Sequence, residues 1–208
     1  MRLSTLISLP NEPWLEKWAR LRRFQVSLPY IREQLSLHTI ITVIDYGCGQ
    51  DILYYKYLRY HFPDQVHRIH YIGIDPLLQK AASKDVTLLK STFETVKAPS
   101  KADVIVMFAV IEHVEDPVRL LNQALGSLKK GGVIVATTPS PLAKPVLEFF
   151  SYVLNIISIR EINEHKRYPT KRTLMEMCRS IRPKHSSISV LHSYFELGLN
   201  NLLLIHSK

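Results

Sequence analysis

Between residues 38 and 140 the chain alternates two hydrophobic patterns. Short apolar runs, rich in β-branched residues, recur at 40–45 (IITVID), 69–75 (IHYIGID), 86–90 (VTLLK), 103–108 (DVIVMF) and 133–138 (VIVATT). Runs of this kind suit strands buried on both faces. Residues 51–62 form a longer, aromatic-rich stretch that stops at Pro63 and predicts a helix. Residues 76–84 open on Pro76 and are helix-compatible. Residues 117–129 follow Asp116, a cap, and open on Pro117, a first-turn residue. There Leu120, Leu121, Ala124, Leu125 and Leu128 mark one helical face. Lys129-Lys130-Gly131-Gly132 then offers cations for the last carbonyls and a glycine stop. Strands alternating with helices predict a mostly parallel sheet with helices on both faces.

The flanks read differently. Residues 11–37 are helical with an interruption at Pro29, and residues 170–181 form a helix capped by Thr170. Residues 187–194 and 200–206 make two closing strands joined near Gly198 and Asn200. Within the apolar stretch 145–159, Lys144, Glu148, Ser151, Asn155 and Ser158 fall on one narrow stripe of a helix. Such a helix buries most of its circumference, as core, as a lid over an apolar acceptor, at a dimer surface or against a membrane. It lacks the basic rim of an interfacial helix, which favours core or lid. No internal repeat interrupts the chain. It reads as one domain over 1–208: N-terminal helices at 11–37, a ligand-binding core at 38–140, a helical region at 141–186 that shapes the substrate site, and closing strands at 187–208.

Composition narrows the classes. With 208 residues, 46% hydrophobic and 22% charged, the chain suits one well-buried core. Two distant cysteines make no disulfide framework and point to a reducing cytoplasm. The N-terminal apolar stretch is too short and polar for a signal segment, and no run of apolar residues predicts a transmembrane helix. The net charge of +9 favours anionic partners such as RNA, nucleotide-linked substrates or acidic lipid surfaces, or simply serves solubility. The oligomeric state is not legible.

The strongest local chemistry is Val43-Ile44-Asp45-Tyr46-Gly47-Cys48-Gly49-Gln50-Asp51, a buried strand followed by a glycine turn and a helix. Glycines allow close backbone approach to a ligand, and the helix start offers free N–H groups. Asp75 ends the second strand, 26 residues after Gly49. An acid in this place accepts hydrogen bonds from ribose hydroxyls, or it caps the segment before Pro76. The third glycine of a dinucleotide fingerprint is missing, and so is the Gly-Lys-Ser/Thr end of a phosphate loop. A nucleoside-like ligand without a diphosphate fits both absences.

These residues resemble the class I S-adenosylmethionine-dependent methyltransferases over about 38–140. Asp45-Tyr46-Gly47-Cys48-Gly49 resembles the turn that cradles the methionine part of the cofactor. Tyr71-Ile72-Gly73-Ile74-Asp75-Pro76 resembles the motif whose acid holds the ribose. Residues 103–114, which include Phe108, Ala109, Glu112 and His113, resemble the fourth-strand motif, and residues 128–139 the helix–turn–strand after it. The resemblance implies a three-layer α/β Rossmann-like fold whose seven-stranded, mostly parallel sheet has an antiparallel C-terminal strand. It implies S-adenosylmethionine as cofactor, with adenine contacts at Thr92 and Phe93. The chain departs from the pattern at Asp51, where relatives often carry a third glycine, and at Thr92, where they often carry an acid.

Glu112-His113 has three readings: a loop lining the cofactor or substrate, a general base at His113, or a metal site. The metal reading ranks last, because Ala109 stands where metal-dependent relatives place another glutamate, and no metal is expected. Cys48 reads as a small turn residue and not as a nucleophile. His165 and Tyr168, in Glu164-His165-Lys166-Arg167-Tyr168-Pro169, are candidate substrate contacts. The Asn/Asp-Pro-Pro-aromatic tetrapeptide of nitrogen methylation is absent after the fourth strand, so the expected acceptor is an oxygen or carbon of a small molecule. RNA methylation is the runner-up because of the charge. A non-catalytic, cofactor-binding partner subunit is the alternative from another class, and a nicotinamide oxidoreductase ranks last.

Overall fold

The computed structural model describes residues 7–10, 12–79, 86–92, 95–96, 98–146, 167–181 and 187–208. Helices α1 (Trp14–Gln25) and α2 (Leu28–Leu37) lead into β1 (Ile41–Tyr46). There follow α3 (Leu53–His61), a 3-10 turn (Val66–Arg68), β2 (Ile69–Ile74), β3 (Val86–Leu89) and β4 (Ala102–Phe108). Then come α4 (Pro117–Gly126), β5 (Leu128–Pro139), α5 (Lys171–Arg179), β6 (Ile188–Phe195) and β7 (Asn200–Ser207).

The strands form one seven-stranded sheet in the order β3-β2-β1-β4-β5-β7-β6. β3, β2, β1, β4 and β5 are mutually parallel. β7 runs antiparallel to both β5 and β6. This is the Rossmann-like α/β arrangement with its antiparallel C-terminal strand. Its three layers follow from the alternation of side chains along each strand. Val43, Val104 and Val135 point to one face, into a core with Phe24, Ile31, Tyr54 and Leu58 of α1–α3. Ile44, Ile105 and Ile134 point to the other, into a core with Leu121, Leu125 and Leu174 of α4 and α5.

Local chemistry sets the element ends. The Asp116 carboxylate accepts from the Arg119 N–H at 2.9 Å and opens α4. The Thr170 hydroxyl accepts from the Thr173 N–H at 3.1 Å and opens α5. The chain breaks at Val26-Ser27, so Pro29 lies in the first turn of α2, where a missing N–H costs nothing. Leu128-Lys129-Lys130 is not the end of α4 but the start of β5. Lys129 Nζ lies 2.7 Å from the Asp103 carboxylate, which also accepts from the Thr42 N–H at 2.7 Å. One buried acid thereby ties β1, β4 and β5 together. The following glycines form a register shift: Gly131 has φ 77°, and a Cβ at Gly132 would lie 2.9 Å from the Asp103 carbonyl oxygen. Residues 76–79 form turns and not a helix. The rest of 76–84, and the stretch 145–159 beyond Val146, lie outside the described residues.

Candidate functional site

The Gly47–Gly49 turn leaves β1 at the carboxyl end of the sheet. Gly47 and Gly49 adopt φ 80° and 66°, the conformation that glycine takes without strain. The Gly47 N–H donates to the Ile74 carbonyl at 2.8 Å. The Asp75 carboxylate accepts from the Gly49 N–H at 3.0 Å and from the Leu77 N–H at 2.8 Å. Asp75 therefore clamps the turn from the end of the neighbouring strand. Beneath the turn, a Cβ at Gly73 would stand 2.7 Å from Cys48 Sγ, so β2 carries glycine where the thiol packs. Ile52 enters α3 with φ 45°, and Ala109 leaves β4 with φ 55°. Neither residue type favours that region.

Beyond the turn lies a cavity of about 330 Å³. From the sheet end it is lined by Asp45, Gly47, Cys48, Gly49, Phe108, Ala109 and His113. Seven of the residues singled out from sequence are thus brought together. Asp75 sits behind the turn, buried, outside the lining. Pro76 is exposed. Thr92 is exposed, with its hydroxyl 2.8 Å from that of Thr95, and is not among the residues that line the cavity. Tyr168 is also outside the lining, although its neighbour Arg167 donates to the Glu115 carbonyl in the loop after β4. Phe93 and His165 fall outside the described residues.

The other wall was not read from sequence: Leu9, Arg20, Arg23, Phe24, Leu53 and Tyr54. The ring of Phe24 lies 5.1 Å from Phe108 and 5.2 Å from Tyr54, which seats α1 against the strand ends. Arg20 is held by Glu12 and donates to the Ile7 carbonyl at 2.8 Å. The buried Nε of Arg23 meets no hydrogen-bond partner among the described residues. Arg20, Arg23 and Phe24 share one helical face at spacings of three and four.

Burial raises the Asp45 carboxyl to about 7, opposed by the Tyr71 hydroxyl that donates to it. Burial, with the Asp45 and Asp75 carboxylates, pushes the Cys48 thiol upward. A thiol disfavoured as thiolate is a poor nucleophile. Glu112 is fully buried, and its carboxyl is raised by desolvation. Neither of its oxygens meets a partner in good geometry among the described residues. His113 sits in the turn after β4, its N–H donating to the Val110 carbonyl at 3.0 Å. Among the described residues no three His, Cys, Asp or Glu side chains gather in a metal-binding group.

A family model described as a methyltransferase domain matches residues 14–181. The chain belongs to that family. Among curated proteins it is 29% identical over 118 residues to a mitochondrial ubiquinone biosynthesis O-methyltransferase of Candida albicans, covering 51% of this chain and 35% of the relative. It is 25% identical over 143 residues to the ubiquinone biosynthesis O-methyltransferase of Rickettsia bellii (strain OSU 85-389), covering 66% of this chain and 57% of the relative. The aligned part is therefore about a third to somewhat over half of those relatives. Among solved structures, the plantazolicin methyltransferase BpumL in complex with a monoazolic desmethylPZN analog and SAH superposes with TM-score 0.64. It is 15% identical, and the match covers 91% of this chain and 84% of that one. Magnesium protoporphyrin IX methyltransferase (ChlM) from Synechocystis PCC 6803 with bound SAH gives TM-score 0.60 at 11% identity, over 97% and 90% of the two chains. At those identities the likeness is one of fold.

Proposed function

We propose that this chain is an S-adenosylmethionine-dependent methyltransferase acting on an oxygen or carbon of a small-molecule acceptor. The observation that carries the reading is the cavity built on the Gly47–Gly49 turn, with Asp45 on one side and, on the other, Arg23, whose buried Nε has no hydrogen-bond partner among the described residues. A zwitterionic amino-acid group fits that pair: Asp45 faces its ammonium and Arg23 its carboxylate. A volume of about 330 Å³ is at the lower end of ligand sites. Asp75 offers its remaining lone pairs to ribose hydroxyls while it holds the turn. Phe108, the last residue of β4, and Ala109 just beyond it are the cofactor-lining residues at that strand end.

When bound, the cofactor supplies a methyl group already activated on a sulfonium. What the protein adds is alignment: an acceptor held in line supplies ~7–11 kcal/mol of the barrier through lost freedom alone. His113 lines the same cavity and takes the proton of a hydroxyl acceptor. Both curated relatives are O-methyltransferases by name, which favours oxygen. Tyr168, beside the loop after β4, and His165 remain the candidates for the acceptor side.

The test is release of S-adenosylhomocysteine from purified protein given S-adenosylmethionine and a panel of small phenols and alcohols. Acceptor-dependent release supports the reading. Cofactor binding with no turnover on any acceptor supports the non-catalytic partner subunit instead.

A further inference from the structure

Trp14 and Trp18 are the chain's two tryptophans, and they are 68% and 45% exposed. They lie one turn apart on α1, and exposed Arg22 and Gln25 continue the same stripe. The opposite face of α1 sends Phe24 into the core and Arg20 and Arg23 to the cavity. One helix thus walls the cavity and shows two indoles to solvent. The β6–β7 turn adjoins it, because Glu196 lies within electrostatic reach of Arg22 and Arg23. Leu197, next in that turn, is 100% exposed. Leu142, 63% exposed, has its Cδ1 beside Gly198 of the same turn, and Lys144 is exposed two residues further on.

Large apolar side chains thus stand out around the cavity wall, interleaved with cations. An indole has an apolar body and a polar N–H, which suits the boundary between water and acyl chains. Helices that present tryptophan beside lysine and arginine lie in that boundary. On the solvent stripe of α1 the charged side chain is Arg22, Lys144 is exposed near the Leu142/Leu197 tip, and the whole chain is at +9. Leu197 protrudes singly from a turn, a shape for insertion into a soft surface rather than for matching a flat protein face. We infer that the Trp14–Trp18–Arg22 stripe and the Leu142/Leu197 tip dock the protein on an anionic lipid bilayer, with the cavity wall turned toward the headgroups. The inference concerns the surface and stands apart from the proposed methyl transfer.

Because both tryptophans lie in the stripe, their fluorescence reports docking directly. The full chain is titrated with phosphatidylcholine vesicles, with and without phosphatidylglycerol, and pelleted. Anionic vesicles shift the emission to the blue and carry the protein down, and added salt weakens both effects. Arg22→Ala reduces partitioning about five-fold, and Trp14→Ala with Trp18→Ala reduces it at least about ten-fold, with the circular dichroism unchanged. Should the double variant fold poorly, Leu197→Ser at the exposed tip gives the same test by sedimentation. Three results overturn the inference. One is no response to either vesicle. Another is a lipid-independent blue shift that grows with protein concentration, which marks a second copy on the stripe. The third is a response to RNA with vesicles inert.

Discussion

Asp45 is the residue whose chemistry is most exposed to test. Its carboxyl, held up to about 7 by burial, keeps its proton where an unfolded carboxyl at roughly 3.9 has lost it. The folded state then binds more protons than the unfolded one, so this residue's contribution to stability falls as pH rises from about 4 to 7. Ligand binding runs the other way. A cationic ammonium beside Asp45 favours the carboxylate, so affinity for S-adenosylmethionine rises from about pH 6 to 8 with release of a proton. Calorimetry in buffers of different ionisation enthalpy measures that proton. Tyr71→Phe removes the hydroxyl that opposes the rise, and the midpoint moves to higher pH. An unmoved midpoint shows that another group sets the dependence. His113 gives a separate readout: His113→Ala lowers kcat by about 10²-fold on a hydroxyl acceptor with cofactor affinity unchanged. Equal losses in both would make His113 a wall residue. Gly73 answers to packing. Gly73→Ala sets a methyl 2.7 Å from Cys48 Sγ and 2.9 Å from Leu88 Cδ2, and overpacking of this kind costs about 1–3 kcal/mol by chemical denaturation.

At the scale of elements, caps and apolar runs were read from the sequence because their causes are local. Asp116 and Thr170 bond to N–H groups three residues ahead, and both caps stand where the residue types place them. Asp116→Ala is expected to cost about 1 kcal/mol and Asp116→Asn very little. The start of β5 was not legible, for a physical reason. Leu128-Lys129-Lys130 continues the helical pattern of α4, but Lys129 is claimed by Asp103, 26 residues away. A tertiary partner overrides a local pattern. Asp103→Ala leaves the Thr42 N–H and the Lys129 ammonium without their acceptor. The expected loss is about 2 kcal/mol, moderated by the partial exposure of Lys129. At the cavity rim, Ala109 has φ 55°, so Ala109→Gly relieves strain and raises stability by up to about 1 kcal/mol. A destabilised Ala109→Gly protein would show that the methyl packs more than it strains.

For the whole molecule, the mostly parallel sheet was accessible because buried strands alternate with helical segments along the chain, and the antiparallel C-terminal strand followed from the family resemblance, while the strand order is set by long-range pairing. Half of the candidate site was accessible in the same way: Asp45, Gly47, Cys48, Gly49, Phe108, Ala109 and His113 all sit at strand ends. The other half comes from α1, whose Arg20, Arg23 and Phe24 reach the cavity only once α1 packs against the ends of β1 and β4. No motif marks them, since their role arises from long-range packing. The likeness to the methyltransferase family implied the sheet side of the cavity and also an adenine contact at Thr92, which is exposed and not among the residues that line the cavity. The central claim is that the cavity holds S-adenosylmethionine between Asp45 and Arg23. Its most direct test is calorimetric titration of the full chain with S-adenosylhomocysteine, beside Arg23→Ala. The account predicts one site of micromolar affinity, about −8 kcal/mol, weakened at least about ten-fold in the variant by loss of a charge-assisted pair. A folded chain that takes up no S-adenosylhomocysteine, or an Arg23→Ala protein that binds it as tightly as the parent, contradicts it.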